Sequence, residues 1–453
     1  MPSIEQSCFW LATRRPAPVT PLTGEVSADI AILGGGFTGL WTALRLKELA
    51  PEARVVLLEQ AVLGYGGSGR NAGQVSGCLD HGHAKALAHF GLDEARRMAR
   101  LGLDNVDEMA QFCRDHQIDC DLARTGQLLV ALTPAQIDDA RENVAAAEKL
   151  GVTGLRLLSG DETRAELNSP LYLGGGFDPT WGTVHPIKLV DGLKRVAESR
   201  GVRIFEHSRV TGLDAVIRTD AGTITADKVI LATNAYTHHL APQLLRRYIP
   251  LYDYILVSEP LTPAQHAAIG WRRRQAVVDG RTFFNYYRLT AENRILWGTS
   301  EAVYYRGNRV DESCDHSEKH YAALRESFRR HFPQIAELEF PFAWGGPIAS
   351  TTRFTPFFGT LAGGRITYGL GYTGLGIANA HLAGKILAHL ALGKPSPLLD
   401  LAIVRNKPFP YPPEPFRSWA VKAITHSLRR VDAGGKPGFL LRALDKVGIG
   451  FSS

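Results

Sequence analysis

The stretch DIAILGGGFTGLWTALRLKE, Asp29 to Glu48, decides the fold. The run ADIAIL reads as a short buried strand that stops at glycines. Leu40, Ala43, Leu44 and Lys47 then follow helical spacing, and Pro51 ends the helix. RVVLLE, Arg54 to Glu59, is a second buried strand. Strand, glycine turn, helix and strand make a βαβ unit. Gly34, Gly36 and Gly39 stand as G-x-G-x-x-G at the turn. The first glycine permits the tight turn, the second lets the backbone approach a pyrophosphate, and the third allows close helix packing. The helix N-terminus supplies N–H donors for the anion. Glu59 lies 20 residues beyond Gly39, where its carboxylate accepts from a ribose 2′-OH. A carboxylate there disfavours the 2′-phosphate of NADP, so FAD and NAD stay open.

Outward from this unit comes a second glycine loop, GYGGSGRNAGQ, Gly64 to Gln74. Its glycines, with Ser68, Arg70 and Asn71, form a backbone nest with polar reach. A single nicotinamide site has no use for a second loop here, whereas a long two-part cofactor such as FAD does. Residues 84–150 read as helices around a strand, TGQLLVAL. PIKLVDGLKRVAESR is an amphipathic helix with Pro186 in its first turn. VRIF, RVTGLD and TITADKVILATNA read as strands, and the aromatic-rich 250–300 region as a broad antiparallel sheet. A strand and a helix return in ITYGLGYTGLGIANAHLAGKILAHLALG. Residues 1–27 read as a polar, proline-containing arm.

The 453 residues are 45% hydrophobic and 21% charged, which excludes a disordered acidic chain, a collagen and a small disulfide scaffold. Of the net charge of +6, residues 411–453 supply +4, seven basic groups against three acidic. A near-neutral body argues against a nucleic-acid groove. The five cysteines form no CxxC pair, which fits a reducing compartment. The N-terminus lacks an apolar core for a signal peptide, and no run reaches the ~18 to 20 apolar residues of a spanning helix. The expectation is a cytoplasmic protein, with attachment at the inner membrane surface open through its tail.

With these motifs together, the chain resembles the D-amino-acid oxidase-like FAD-dependent oxidoreductase superfamily, in the branch of glycine oxidase, sarcosine oxidase and gamma-glutamylputrescine oxidase. Besides the first stretch, the resemblance rests on GGSGRNAGQVSG, GTVHPIKLVDGLKRVAESRGVRIFEHSRVTGL, ADKVILATNAYT, WGGPIASTTRFTPFFG and GLGYTGLGIANAHLAGKILA. It implies an α/β fold: a discontinuous Rossmann-like FAD domain of glutathione-reductase type, interleaved with a substrate domain on a mixed or antiparallel sheet. The expected boundaries are 28–85, 185–240 and 343–395 for the FAD domain, and 86–184 and 241–342 for the substrate domain. The arm covers 1–27 and a basic amphipathic tail 396–453.

The resemblance also implies roles. Gly34, Gly36, Thr38 and Gly39 would hold the FAD pyrophosphate, and Glu59 and Gln60 the adenosine ribose. Ser68, Gly69, Arg70, Asn71, Ala72, Gly73 and Gln74 would lie along the pyrophosphate and flavin. Val210 would meet the adenine through its backbone, and Thr233 and Asn234 would close over the dinucleotide. Gly371, Gly374, Leu375 and Gly376 would face the flavin pyrimidine, where a helix N-terminus stabilises negative charge near N1 and O2. Such enzymes move a hydride equivalent from an amine carbon to flavin N5, and the imine hydrolyses. No strong acid–base residue is required of the protein.

Departures from the branch shape the remaining expectations. Leu296 stands where sarcosine oxidases carry a lysine thought to help oxygen react. Ile348 and Ala349 stand near the branch's flavin-linking cysteine, so the FAD should be non-covalent. Ala378 replaces a carboxylate-binding lysine, for which Arg353 or Arg288 could substitute. Tyr372, Trp344 and Tyr287 are the aromatic candidates for the substrate pocket; of Phe283, Phe284, Tyr286 and Tyr287, alternation allows only one face to point at the flavin. His81, His83 and His89 have no zinc-type spacing, so no metal is expected. His81 and His83, which leave the flavin loop, fit the active-site rim. In the tail, Phe416, Trp419, Ala420, Ala423, Ile424, Leu428 and Val431 share a face expected to pack on the protein, with Arg417, Lys422 and Arg429 away from it. Phe439, Leu440, Ala443, Leu444 and Val447 repeat the pattern.

The expected activity is oxidation of the C–N bond of a small amine or amino acid, gamma-glutamylputrescine oxidase-like, with oxygen or another electron acceptor. The alternatives are a dehydrogenase passing electrons to a membrane acceptor through the tail, and a non-catalytic flavoprotein binding module.

Overall fold

The computed structural model describes residues 2–436 and 438–446. The strand Gly24–Leu33 runs parallel between Val55–Leu58 and Gly222–Leu231. Arg203–Phe205 extends this sheet in parallel beyond Val55–Leu58, and Ile366–Leu370 beyond Gly222–Leu231. Phe357–Leu361 closes one edge antiparallel. The central strand is apolar on both faces over Ile30 to Leu33, where both are covered. Helices Phe37–Leu49 and Gly376–Leu392 pack against each other over one face. Gly384 permits that contact, since a Cβ there would lie 2.7 Å from the backbone carbon of Trp41.

A second eight-stranded sheet is mostly antiparallel. Its middle is built by Ile249–Pro260, Arg294–Val303 and Asn285–Leu289. Helix Glu318–His331 covers one face with Tyr321, Leu324 and Phe328. The other face meets the second glycine loop and the N-terminal helices Ile4–Ser7 and Phe9–Ala12.

Three segments differ from the sequence expectation. The arm is not a free polar tail: Phe9 and Trp10 are buried, and the Trp10 indole donates to the Asn71 carbonyl at 2.8 Å. Phe9, Trp10 and Leu11 stand consecutively in a helix of four residues, too short for a periodicity to mark its buried face. Residues Phe342–Ser350 form the edge strand of the second sheet, paired with Ile249–Val257, and so leave the segment expected to belong to the FAD domain. The helix His83–Asp115, interrupted at Gly91, buries Met98, Val106, Met109 and Phe112 in the core of the first sheet's helical layer, although it was expected in the substrate domain.

The tail docks on an unexpected face. Helix Phe416–Asp432 buries Arg417, Ser418 and Leu428 and leaves Phe416 and Trp419 about 60% exposed. Arg417 donates to Asn308 Oδ1 at 2.7 Å, and Asp432 accepts from the Thr282 and Phe283 amides. Polar anchoring by these groups outweighs burial of the aromatic stripe. Among the described residues no helix is long and apolar enough to cross a membrane. Val447 lies outside the described residues.

Candidate active site

One wall is made of backbone. Gly34 has φ +111°, and a Cβ on it would lie 2.7 Å from the Ala232 carbonyl. A Cβ on Gly39 would fall 2.0 Å from the Gly34 carbonyl, so only glycine lets the helix start against the turn. Glu59 accepts from the Gly35 amide at 2.8 Å and the Ala61 amide at 3.1 Å. Burial pushes its carboxyl above the usual range, opposed by these N–H donors. Gln60 is exposed beside it. The first amide of the helix, Phe37 N, donates to Ser68 Oγ at 2.9 Å, which joins the two glycine loops.

The second loop is fixed by its own side chains. Asn71 donates to the Gly67 and Ser68 carbonyls and accepts from the Gly73 amide. Arg70 is buried, pairs with Asp315 at 2.7 Å and donates to the Tyr65 carbonyl. Its Nη2 is buried and has no partner among the described residues. Gln74 reaches the carbonyls of Val277 and Tyr287 at 3.4 and 3.3 Å, and so ties the loop to the second sheet.

A third backbone element completes this wall. The Gly371 amide donates to Asn234 Oδ1 at 3.1 Å. Gly371, with φ +90°, packs on Thr351, and a Cβ there would lie 2.5 Å from Thr351 Cγ2. The turn then runs through Gly374 and Leu375 into helix Gly376–Leu392, whose N-terminus no side chain caps. Thr233 shares a hydrogen bond with Thr237, and Val210 begins a short partly exposed strand beside the parallel sheet.

A helix start beside a glycine turn, a second helix start without a cap and the free Nη2 of Arg70 are donors aimed at anionic groups. This cradle fits FAD: the loops at 34–39 and 68–74 would hold its pyrophosphate, and the 371–376 turn its pyrimidine edge.

The second wall is made of side chains. Ala72 and Tyr286 each pack against the buried cluster that includes Leu296 and Trp344. Trp344 is buried, and its indole donates to the Arg70 carbonyl at 2.9 Å. Asp253, on the same face as Ile255 and Val257, accepts from the Tyr286 hydroxyl at 2.6 Å. Gly298 opposes Tyr286 in the ladder, and a Cβ there would lie 2.2 Å from the Tyr286 ring. Asp253 and Tyr286 are partly exposed, as are Asn71, Ala72, Thr373 and Gly376 of the backbone wall.

Several candidate residues have other employment. Tyr287 faces the opposite side of its strand from Tyr286, in the core with Trp297, and shares a 2.6 Å hydrogen bond with the Tyr172 hydroxyl. The pleat forbids both tyrosines from lining one cleft. Arg353 donates to the carbonyls of Pro356, Ile403 and Asn406. Arg288 donates to those of Gly73 and Val184, and burial lowers its pKa to about 10. Both arginines clamp loops with the donors a substrate carboxylate would need. Tyr372 shares a 2.8 Å hydrogen bond with Thr38 and packs in the helical core, so it links the first and third backbone elements.

His81 packs on Phe354, next to the 371–376 turn. Among the described residues no three His, Cys, Asp or Glu side chains gather to hold a metal. A hollow of about 430 Å³ lined by Leu261, Arg272 and Asn293 contains none of the residues of either wall. Asp253, Asp315 and Gly298 escaped the sequence reading. The one available signal was an acid inside the apolar strand LYDYILV, at the parity of Ile255 and Val257.

The arrangement defines a flavoprotein oxidoreductase. The FAD dependent oxidoreductase (DAO) family profile matches residues 29–390, and the chain belongs to that family. It is 31% identical over 409 residues to gamma-glutamylputrescine oxidoreductase of Escherichia coli, covering 89% of this chain and 93% of that one. It is 32% identical over 409 residues to the probable oxidoreductase OrdL of Rhizobium meliloti, covering 89% and 92%. Among solved structures, glycine oxidase from Geobacillus kaustophilus shares the fold with a TM-score of 0.68 at 21% identity, over 84% of this chain and 99% of that one.

Proposed function

We propose that the protein oxidises the C–N bond of a small amine that carries a carboxylate elsewhere, with gamma-glutamylputrescine the leading substrate. The observation that supports this most is the pairing of the two walls: a complete backbone cradle for FAD faces a sheet whose cleft side offers a carboxylate, Asp253. The relative in Escherichia coli adds support through its name and its near full-length match. FAD, when bound, supplies the hydride acceptor at N5. The chain's own work is positioning and exclusion of water. Trp344 and Leu296 are fully buried against the second glycine loop and keep that side of the cleft dry. Arg70, held by Asp315, fixes the loop that lies along the flavin.

Leu296 supports a further distinction. A buried leucine offers no positive charge beside the flavin, which favours slow reoxidation by oxygen and transfer to another acceptor. The exposed Phe416 and Trp419 on a basic tail fit contact with such an acceptor at a membrane surface. The test is an anaerobic screen of amines, amino acids and 2-hydroxy acids, followed by flavin absorbance and then by oxygen addition. Bleaching by gamma-glutamylputrescine and related amines is expected, with reoxidation by oxygen slower than by an artificial quinone. Bleaching by hydroxy acids alone would refute the C–N assignment, and rapid peroxide release would refute the acceptor reading.

A further inference from the structure

Asp253 is a carboxylate without a cation. Its direct side-chain partner among the described residues is the Tyr286 hydroxyl, at 2.6 Å, and its other oxygen accepts from the Tyr254 amide at 2.9 Å. It makes no ion pair with any described residue, although a guanidinium stands close by. Asp253 pairs with Gly346 across the ladder, and a Cβ on Gly346 would lie 3.0 Å from Arg70 Cβ. Arg70 turns away to Asp315 and the Tyr65 and Gly345 carbonyls. The strand Phe342–Ser350 brings no titratable group to this point, since Gly345, Gly346 and Pro347 stand there. The strand Arg294–Val303 brings Gly298 opposite Ile255 and its irregular stretch, Ser300 to Ala302, opposite Asp253, where Glu301 is paired with Arg429 of the tail helix. The neighbouring titratable groups are therefore Tyr286 beside Asp253, the Glu301–Arg429 pair on the adjacent strand, then Tyr65 and the Arg70–Asp315 pair on the loop side.

Structural carboxylates elsewhere in the second sheet are treated differently. Asp279, which is fully buried, has Arg281 at 2.6 Å and accepts from the Asn285 amide. A partly buried carboxylate without a cation costs stability unless a ligand offsets it. Gly298 carries a second cost of the same arrangement, since only the absence of a side chain leaves room for the Tyr286 ring.

We infer that Asp253, oriented by Tyr286, is the receiver of the substrate's ammonium group and takes its proton before the C–N bond is oxidised. The inference rests on the amine-oxidation reading above. In the step, Asp253 Oδ accepts one proton from R–NH₃⁺; the N–H electron pair stays on nitrogen, giving neutral R–NH₂ and a protonated Asp253. The oxidation itself then uses the freed lone pair, with FAD as the named acceptor. Burial pushes the Asp253 carboxyl up to about 7, opposed by the Tyr286 donor, and so suits it to hold and release a proton near neutral pH.

The test uses FAD-loaded full-length protein and two inert probes, tert-butylammonium and tert-butanol. Neither has a hydrogen on the carbon bonded to nitrogen or oxygen, so neither can be oxidised. Flavin difference spectra should show the ammonium binding at least ten-fold tighter than the alcohol. Asp253→Asn should weaken the ammonium at least ten-fold and leave the alcohol within two-fold. Tyr286→Phe, which keeps the ring, should weaken the ammonium about three-fold. With a reducing amine, the flavin reduction rate should rise through a pH near 7 in wild type, and Asp253→Asn should lose that inflection. An Asp253→Asn protein with normal FAD content and unchanged ammonium affinity would overturn the inference. So would a wild type that binds both probes equally. A wild type that prefers the ammonium but is bleached by no amine would keep this site and remove the oxidation reading.

Discussion

The two walls of the cleft are built on opposite plans. The first presents backbone amides from three turns, each held open by glycine; the second presents side chains on a sheet. A backbone wall cannot vary its chemistry, so it suits a cofactor that is the same in every relative. A side-chain wall changes with each substitution, so it suits a substrate that differs between relatives. The same contrast holds in energy. The first wall gains its donors from helix ends that any sequence would leave unpaired. The second invests in one costly group, Asp253, whose burial is repaid only when a cation arrives.

That contrast can be broken from either side. Gly39→Val should have the largest effect, because its Cβ would overlap the Gly34 carbonyl at 2.0 Å. The expected outcome is protein with almost no bound flavin, read from the absorbance ratio of flavin to protein. Arg70→Ala comes next. It leaves Asp315 buried without its cation, which should cost roughly 3–5 kcal/mol in denaturant unfolding. The double variant Arg70→Met with Asp315→Leu should recover most of the stability while losing flavin affinity.

Gly298→Ala probes the second wall alone. A methyl placed 2.2 Å from the Tyr286 ring should displace it at a cost of about 1–3 kcal/mol and raise KM for the amine about ten-fold, with flavin content unchanged. Asp253→Asn should alter the pH dependence of stability more gently. The folded carboxyl titrates near 7, above the unfolded value near 3.8. The native state thus gains stability from holding a proton, an advantage complete below pH 4 and lost as pH rises through 7. Thermal melts of wild type should therefore fall between pH 4 and 7 by more than those of Asp253→Asn. Trp419→Ala, on neither wall and 60% exposed, should change stability by about 0.5 kcal/mol or less and leave amine oxidation intact.

The backbone wall was legible in the sequence because turns leave glycines at fixed spacing. Gly34 and Gly36 turn the chain into helix Phe37–Leu49, and the 371–376 turn leads into helix Gly376–Leu392. The side-chain wall was largely hidden. Pleating put Tyr286 at the cleft and Tyr287 in the core, and sequence alone leaves the parity of an all-aromatic strand open. Arg288 and Arg353 had the right chemistry, but loop carbonyls distant in sequence claim their donors. Asp253 was overlooked because one acid in an apolar strand looks like an edge. The tail turned about its axis for a similar reason: Asn308, Thr282 and Phe283 supply polar partners that no periodicity records.

The central claim is that an FAD cradle and an amine-receiving wall meet in one cleft. Anaerobic titration of the purified yellow protein with gamma-glutamylputrescine tests it most directly. The account predicts full bleaching at one equivalent of amine per flavin, with one equivalent of aldehyde formed after imine hydrolysis. A flavin that stays oxidised with this and every other amine offered would contradict it.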